Sequence, residues 1–146
     1  MIPELVDIGS PWPVLPPGEH DATLEEIEER FAQTPHRKRL FDGLRQGVEA
    51  LRHAGCKTVY VDGSFVTGKP EPGDYDACWD TTGVEETKLD RVFLDFSNKR
   101  ERQKRKLLGE FFPSGARADG HRTFVEYFQN DRYTDEPKGI IRVQLT

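Results

Sequence analysis

Apolar positions change their spacing several times along this chain, and each change predicts an element. Thr23 with Glu26 three residues on has the form of a capping box, and Leu24, Ile27 and Phe31 follow at helical spacing, predicting a short helix that ends near Ala32. Thr34 and Pro35 signal a second start, with Leu40, Phe41, Leu44, Val48 and Leu51 on one stripe and Gly55 as the stop. That stripe is expected to cover one face of a sheet. Two β-rich runs, Thr58–Asp62 and Tyr75–Trp79, flank a loop dense in Gly, Pro and Thr and predict strand, loop, strand. The apolar segment Val92–Phe96 is too short to assign to helix or strand. Ser97 or Asn98 is the expected cap of a basic helix running to about Leu108, before Gly109. Glu110–Pro113 reads as the start of a third strand, and Phe124–Phe128 fits either a strand or one and a half helical turns. Asn130–Pro137 reads as a turn. The run from Gly139 to Leu145 closes the pattern as a strand with Ile141, Val143 and Leu145 on one face.

Residues 1–22 contain prolines 3, 11, 13, 16 and 17 and no apolar period. Proline fixes φ and removes a donor, so this segment is expected to be an extended arm, neither helix nor central strand, with Trp12, Val14 and Leu15 pinning it to the domain formed by residues 23–146. At 146 residues there is room for one core and no second domain. Hydrophobic residues make up 35% and charged residues 32%, and no run approaches a membrane span, so a cytoplasmic protein with no membrane partner is expected. Net charge is −5, but six of the 21 basic residues fall in Lys99–Lys106, leaving −10 on the rest. A basic segment on an acidic body attracts phosphate or an acidic partner; a solvated helix face has the same composition and is the favoured reading. Cys56 and Cys78 read as buried free thiols, and the four histidines show no ligand spacing.

The chemistry concentrates between Lys57 and Asp80. Asp74 and Asp76 lie two apart, which on a strand places both carboxylates on one face. Two acids held that close repel, and a hard divalent cation such as Mg²⁺ relieves the repulsion through oxygen ligands. Gly63–Ser64, on the preceding turn, can bring backbone N–H groups to a phosphate because glycine carries no Cβ. Two other motifs fail in the same loop. Gly63-x-x-x-x-Gly68-Lys69 matches a P-loop until Pro70 replaces the required Ser or Thr, and Pro72–Gly73 forbids the helix a P-loop needs. The acids at 74, 76 and 80 lack the Gly and the closing Glu of a calcium loop.

On Gly63-Ser-Phe-Val-Thr-x-Lys-x-x-Pro-x-Asp-x-Asp76 the chain resembles the nucleotidyltransferase-fold superfamily, the group of polymerase β and small antitoxin-type nucleotidyltransferases. With Leu94-Asp-Phe-Ser-Asn98, Phe124-Val-Glu-Tyr-Phe-Gln129 and Pro137-Lys-Gly-Ile-Ile141, the whole chain is similar to small bacterial proteins expected to share that fold. The resemblance implies an α+β fold, a mixed β-sheet with helices packed on one face. It also implies Asp74 and Asp76 as metal ligands and catalytic acids, Gly63 and Ser64 as phosphate holders, and two Mg²⁺ ions with a nucleoside triphosphate, ATP being expected. Lys69 either adds a point charge to the phosphates or is a solvated loop lysine. A third carboxylate on a later strand is implied but has no unambiguous match; Asp119, Glu126 and Asp95 are the candidates, in that order. The expected activity is Mg²⁺-dependent transfer of a nucleotidyl group to a protein, RNA or small-molecule acceptor, with a partner protein presenting that acceptor surface. The alternatives are a catalytically inactive relative acting as a binding partner, such as a toxin–antitoxin component, and an RNA-binding module using the Lys99–Lys106 helix.

Overall fold

The computed structural model describes residues 1–145. The elements follow in the order β1 (Gly18–Asp21), α1 (Leu24–Phe31), α2 (Pro35–His53), β2 (Thr58–Asp62), β3 (Tyr75–Trp79), α3 (Ser97–Leu107), β4 (Gly109–Pro113), α4 (Phe124–Tyr127) and β5 (Gly139–Gln144). They build an α+β fold around one mixed sheet of order β1-β5-β2-β3-β4, parallel at both edges and antiparallel through β5, β2 and β3.

The local signals explain the helices. Thr23 and Glu26 cap α1 reciprocally, and Thr34 accepts from the backbone N–H of Arg37 ahead of Pro35 at the start of α2. Their buried stripes, Ile27 and Phe31 with Leu40, Phe41, Leu44, Val48 and Leu51, join one core. Alternation along the strands supplies the other half of that core: Val59 and Val61, Tyr75, Ala77 and Trp79, Phe111, Ile141 and Val143. The opposite face therefore receives Asp62, Asp76, Cys78, Glu110, Phe112 and Ile140. Part of it is roofed by the single turn α4, where Phe112 and Phe124 stack with ring centroids 4.3 Å apart. Both cysteines are free and buried.

In the proline-rich segment Val14 and Leu15 are each 1% exposed. Its last residues form β1, an edge strand beside β5, held by Arg142 donating to Asp21 at 2.7 and 2.9 Å. Residues 91–94 are a 3₁₀ turn.

The basic helix departs from expectation at its start. Phe96 stands at the cap with no side-chain hydrogen bond, and Asn98, Lys99 and Arg100 are all left-handed (φ 51°, 56° and 63°), so regular helix begins only at Glu101. Ser97 is occupied instead by Asp95, whose carboxylate accepts from its N–H and hydroxyl. From Glu101 on, α3 buries only Gln103 and Leu107. Gln103 donates to Val92 O at 3.0 Å and accepts from Phe111 N at 2.7 Å, fixing the helix to β4.

Where α3 ends, Gly43 of α2 meets it so closely that an added Cβ would overlap the carbonyl of Leu107. Gly43→Ala gains about 1 kcal/mol in helix propensity, but forcing an atom against fixed backbone costs roughly 1–3 kcal/mol. A net loss of stability, read as a lower urea midpoint at unchanged slope, is expected. A higher midpoint would mean that α3 is not seated against α2.

Candidate active site

Sheet register assembles the acids. Asp62 lies opposite Asp76 in the antiparallel β2–β3 pair, and Asp76 lies beside Glu110 in the parallel β3–β4 pair. Asp74, two residues before Asp76, joins the same face, and oxygens of Asp74, Asp76 and Glu110 all lie within 4.8 Å of one another. Among the described residues this is the one such group of three acidic, histidine or cysteine side chains.

The acid that joins Asp74 and Asp76 is Glu110, and the three anticipated positions are engaged elsewhere. Asp119 accepts from His121 N and Arg122 N and pairs with the Arg122 side chain, which together hold its carboxyl down at about 2. Glu126 closes the capping box of α4 with Thr123, and Asp95 caps Ser97.

Electrostatics in the cluster follow from burial and like charge. Burial, then the negative charges of Asp74 and Glu110, push Asp76 well above the ordinary carboxylate range. Asp74 is raised by burial and by Glu110. Burial also opposes the charge on Glu110, but hydrogen bonds from Lys104 and Asp76, with Arg100 beside them, bring it below its ordinary value. Arg100 Nε and Lys104 Nζ each sit 3.1 Å from Glu110 Oε1. The contact between the two side chains contributes to both shifts, raising Asp76 and lowering Glu110.

Behind the cluster Asp62 is completely buried, with Cys78 Sγ 3.6 Å from its Oδ2 and no partner for its Oδ1. Burial, then the negative charge of the neighbouring Asp76 carboxylate, raises its pKa well above the ordinary range.

Gly63 begins the turn that faces the acids. Its φ is +78°, and a Cβ there would run into the Asp76 carboxylate, leaving room for glycine alone. Ser64–Val66 form a 3₁₀ turn that Thr67 closes by hydrogen-bonding Ser64 O through both its N–H and its hydroxyl.

Arg37 braces this loop from beneath. The guanidinium is 7% exposed and donates to the carbonyls of Phe31, Phe65, Thr67 and Lys69 at 2.5–3.1 Å, with the Phe65 ring 5.4 Å below it.

Gly63, Ser64, Lys69, Asp74 and Asp76 all open on one cleft of about 640 Å³. Its walls carry further cations, Lys104, Arg122, Arg132 and Lys138, and the rings of Trp12, Tyr127 and Tyr133. A larger groove of about 900 Å³ outside α3 contains no acid cluster, and its Lys106–Asp90 and Arg102–Asp95 pairs already match charge with charge.

Residues 10–144 match the family described as Family of unknown function (DUF6932). The chain belongs to that family. No curated protein and no solved structure matches it. No helix among the described residues is long and apolar enough to cross a membrane. The stretch matched to DUF6932 runs from before Trp12 to beyond Lys138, so the whole cleft lies inside it.

Three residues of this DUF6932 chain escaped the sequence reading. Glu110 was visible only as a strand residue, because parallel pairing between strands more than thirty residues apart leaves no local trace. Asp62 reads as a strand end, and Arg37 as one more charge on an amphipathic helix. The single hint for Arg37 is its place one turn into α2, opposite the exposed face.

Proposed function

We propose that the protein is a metal-dependent nucleotidyltransferase, moving a nucleotidyl group from a nucleoside triphosphate to an acceptor hydroxyl. The observation that carries this reading is the meeting of Asp74, Asp76 and Glu110, of which Asp74 and Asp76 share one cleft with the Gly63–Ser64 turn. The donor set suits a hard cation: three carboxylates, no thiol or imidazole, and mutual repulsion that, with burial, raises the pKa of Asp74 and Asp76. Mg²⁺ bound there would supply neutralisation of phosphate charge and a lowered pKa for the attacking hydroxyl.

The chain's own residues account for the rest. The Gly63–Ser64 turn offers backbone N–H groups to the terminal phosphates, and Lys69 and Lys138 add positive charge on either side. Lys104, which pairs with Glu110 and also lines the cleft, would face the departing pyrophosphate. In the reaction the acceptor hydroxyl gives its proton to water, its oxygen bonds to the α-phosphorus, the bond from that phosphorus to the bridging oxygen breaks, and pyrophosphate leaves with the electron pair.

A second reading is favoured by the two cations on Glu110. Because Arg100 and Lys104 already neutralise Glu110, the cluster is stable without metal, as suits an inactive relative acting as a binding partner. Incubation with Mg²⁺ and α-labelled ATP, with and without the product of a neighbouring gene as acceptor, separates the two. The enzyme reading expects label transfer that Asp74→Ala and Asp76→Ala abolish. Absence of transfer together with no calorimetric binding of Mg²⁺–ATP selects the binding partner.

A further inference from the structure

Acids and aromatic rings line the same cleft, and Lys69 links the two sets: its charge acts on Asp74, and its ammonium lies over the Trp12 ring. Trp12 is half-buried, and Tyr133 and Tyr127 are 49% and 39% exposed, although large aromatic side chains ordinarily bury their area. Lys69 Nζ sits 4.9 Å from the centre of the Trp12 ring, and the Tyr133 ring meets Trp12 edge to face at 5.6 Å.

The backbone on either side of Trp12 is tied down as well. Gly68 N donates to Pro13 O at 2.9 Å, tying the arm to the Gly63 loop. On the other side Asp131, 2% exposed, accepts from Ser10 and also from the N–H and hydroxyl of Thr134. A buried carboxylate thus clamps the arm to the loop that carries Tyr133. The hydrogen bonds fix both backbones and leave the two rings to line the opening.

Resting on the nucleotidyltransferase reading, we propose that Trp12 and Tyr133 form the nucleobase subsite, so that the proline-rich arm is part of the substrate site and not only a strap. A triphosphate drawn along Lys69 would leave its base against these rings, in the sequence acid, cation, aromatic that matches cation, phosphate, base. Aromatic faces accept any base by stacking, which makes this subsite a source of affinity and not of discrimination among bases.

The chain contains two tryptophans, and the other, Trp79, is 3% exposed in the core. Emission from Trp12 is therefore a local reporter. Titrating the full chain in Mg²⁺ with ATP and, separately, with inorganic tripolyphosphate tests the subsite. Expected are quenching by ATP, little by tripolyphosphate, and ATP binding tighter by about tenfold. Calorimetry on Trp12→Leu should then show ATP reduced to the affinity of tripolyphosphate, with tripolyphosphate unchanged and Trp12→Phe restoring most of the difference. Tyr133→Ala, at a half-exposed position, gives a smaller loss in the same direction if Trp12→Leu fails to fold. Equal binding of the two ligands, or losses shared equally by both, overturns the base subsite and leaves the metal and phosphate site standing. If the parent binds neither ligand, the nucleotide reading of the cleft falls and this inference with it.

Discussion

Asp76→Asn is expected to raise the melting temperature of the metal-free protein while abolishing its response to Mg²⁺. Asparagine keeps the shape and the N–H needed to donate to Glu110, but removes a group that burial, Asp74 and Glu110 all disfavour in its charged form. The gain is about 1 kcal/mol, or roughly 2–4 °C for a domain of this size. Its pH dependence carries the sign. Where Asp76 is protonated in both folded and unfolded chains the substitution changes little. As pH rises through the ordinary carboxylate range, only the unfolded chain ionises freely, so folding of the parent weakens and the advantage of Asn grows toward neutrality. Mg²⁺ reverses the ranking, because a ligand at a hundred times its dissociation constant stabilises the parent by about 2.7 kcal/mol and the variant hardly at all. Any transferase activity should fall by roughly 10²–10³-fold. Thermal melts at several pH values, with EDTA and with Mg²⁺, check all of this. An Asn variant that melts lower at neutral pH and still gains from Mg²⁺ would show that the three acids do not form one site.

Arg37→Met is expected to be the most destabilising change near the cleft, at roughly 3–5 kcal/mol, because it strips a buried charge from four carbonyls that no other described residue serves. Methionine fills much of the volume but donates nothing. Lysine, with its point charge, cannot reach carbonyls spread from Phe31 to Lys69 and should recover only a small part. Urea denaturation measures the loss. Hydrogen exchange locates it: the amides of Thr67 to Lys69 should exchange faster than those of β2, since the brace acts on the loop and not on the strand. Uniform acceleration through the whole sheet would argue that Arg37 supports the core in general.

Much of the fold was legible because its signals are local. Thr23, Glu26, Thr34 and Pro35 announce both early helices, and the alternation of Ile141, Val143 and Leu145 gives the last strand its inward face. Half of the site was legible for the same reason, since Gly63, Ser64, Asp74 and Asp76 lie within one hairpin. What escaped depends on distance. Glu110 reaches the cluster through pairing with a strand more than thirty residues away, and Arg37 through four carbonyls on two loops. The left-handed turn at Asn98–Arg100 contradicts the local preference of Lys and Arg; there Arg100 is drawn to Glu110 at 3.1 Å.

The sheet order also sets when this molecule can be finished on the ribosome. β1 has no neighbour except β5, its Gly18 pairing with Gly139, and β2 must wait for that same final strand on one side. A nascent chain can close the β2–β3 hairpin and its helices early, but the arm and its tryptophan have nowhere to settle until β5 emerges. Shortened chains ending before β5 should collect as open-edged, sticky intermediates without a competent cleft.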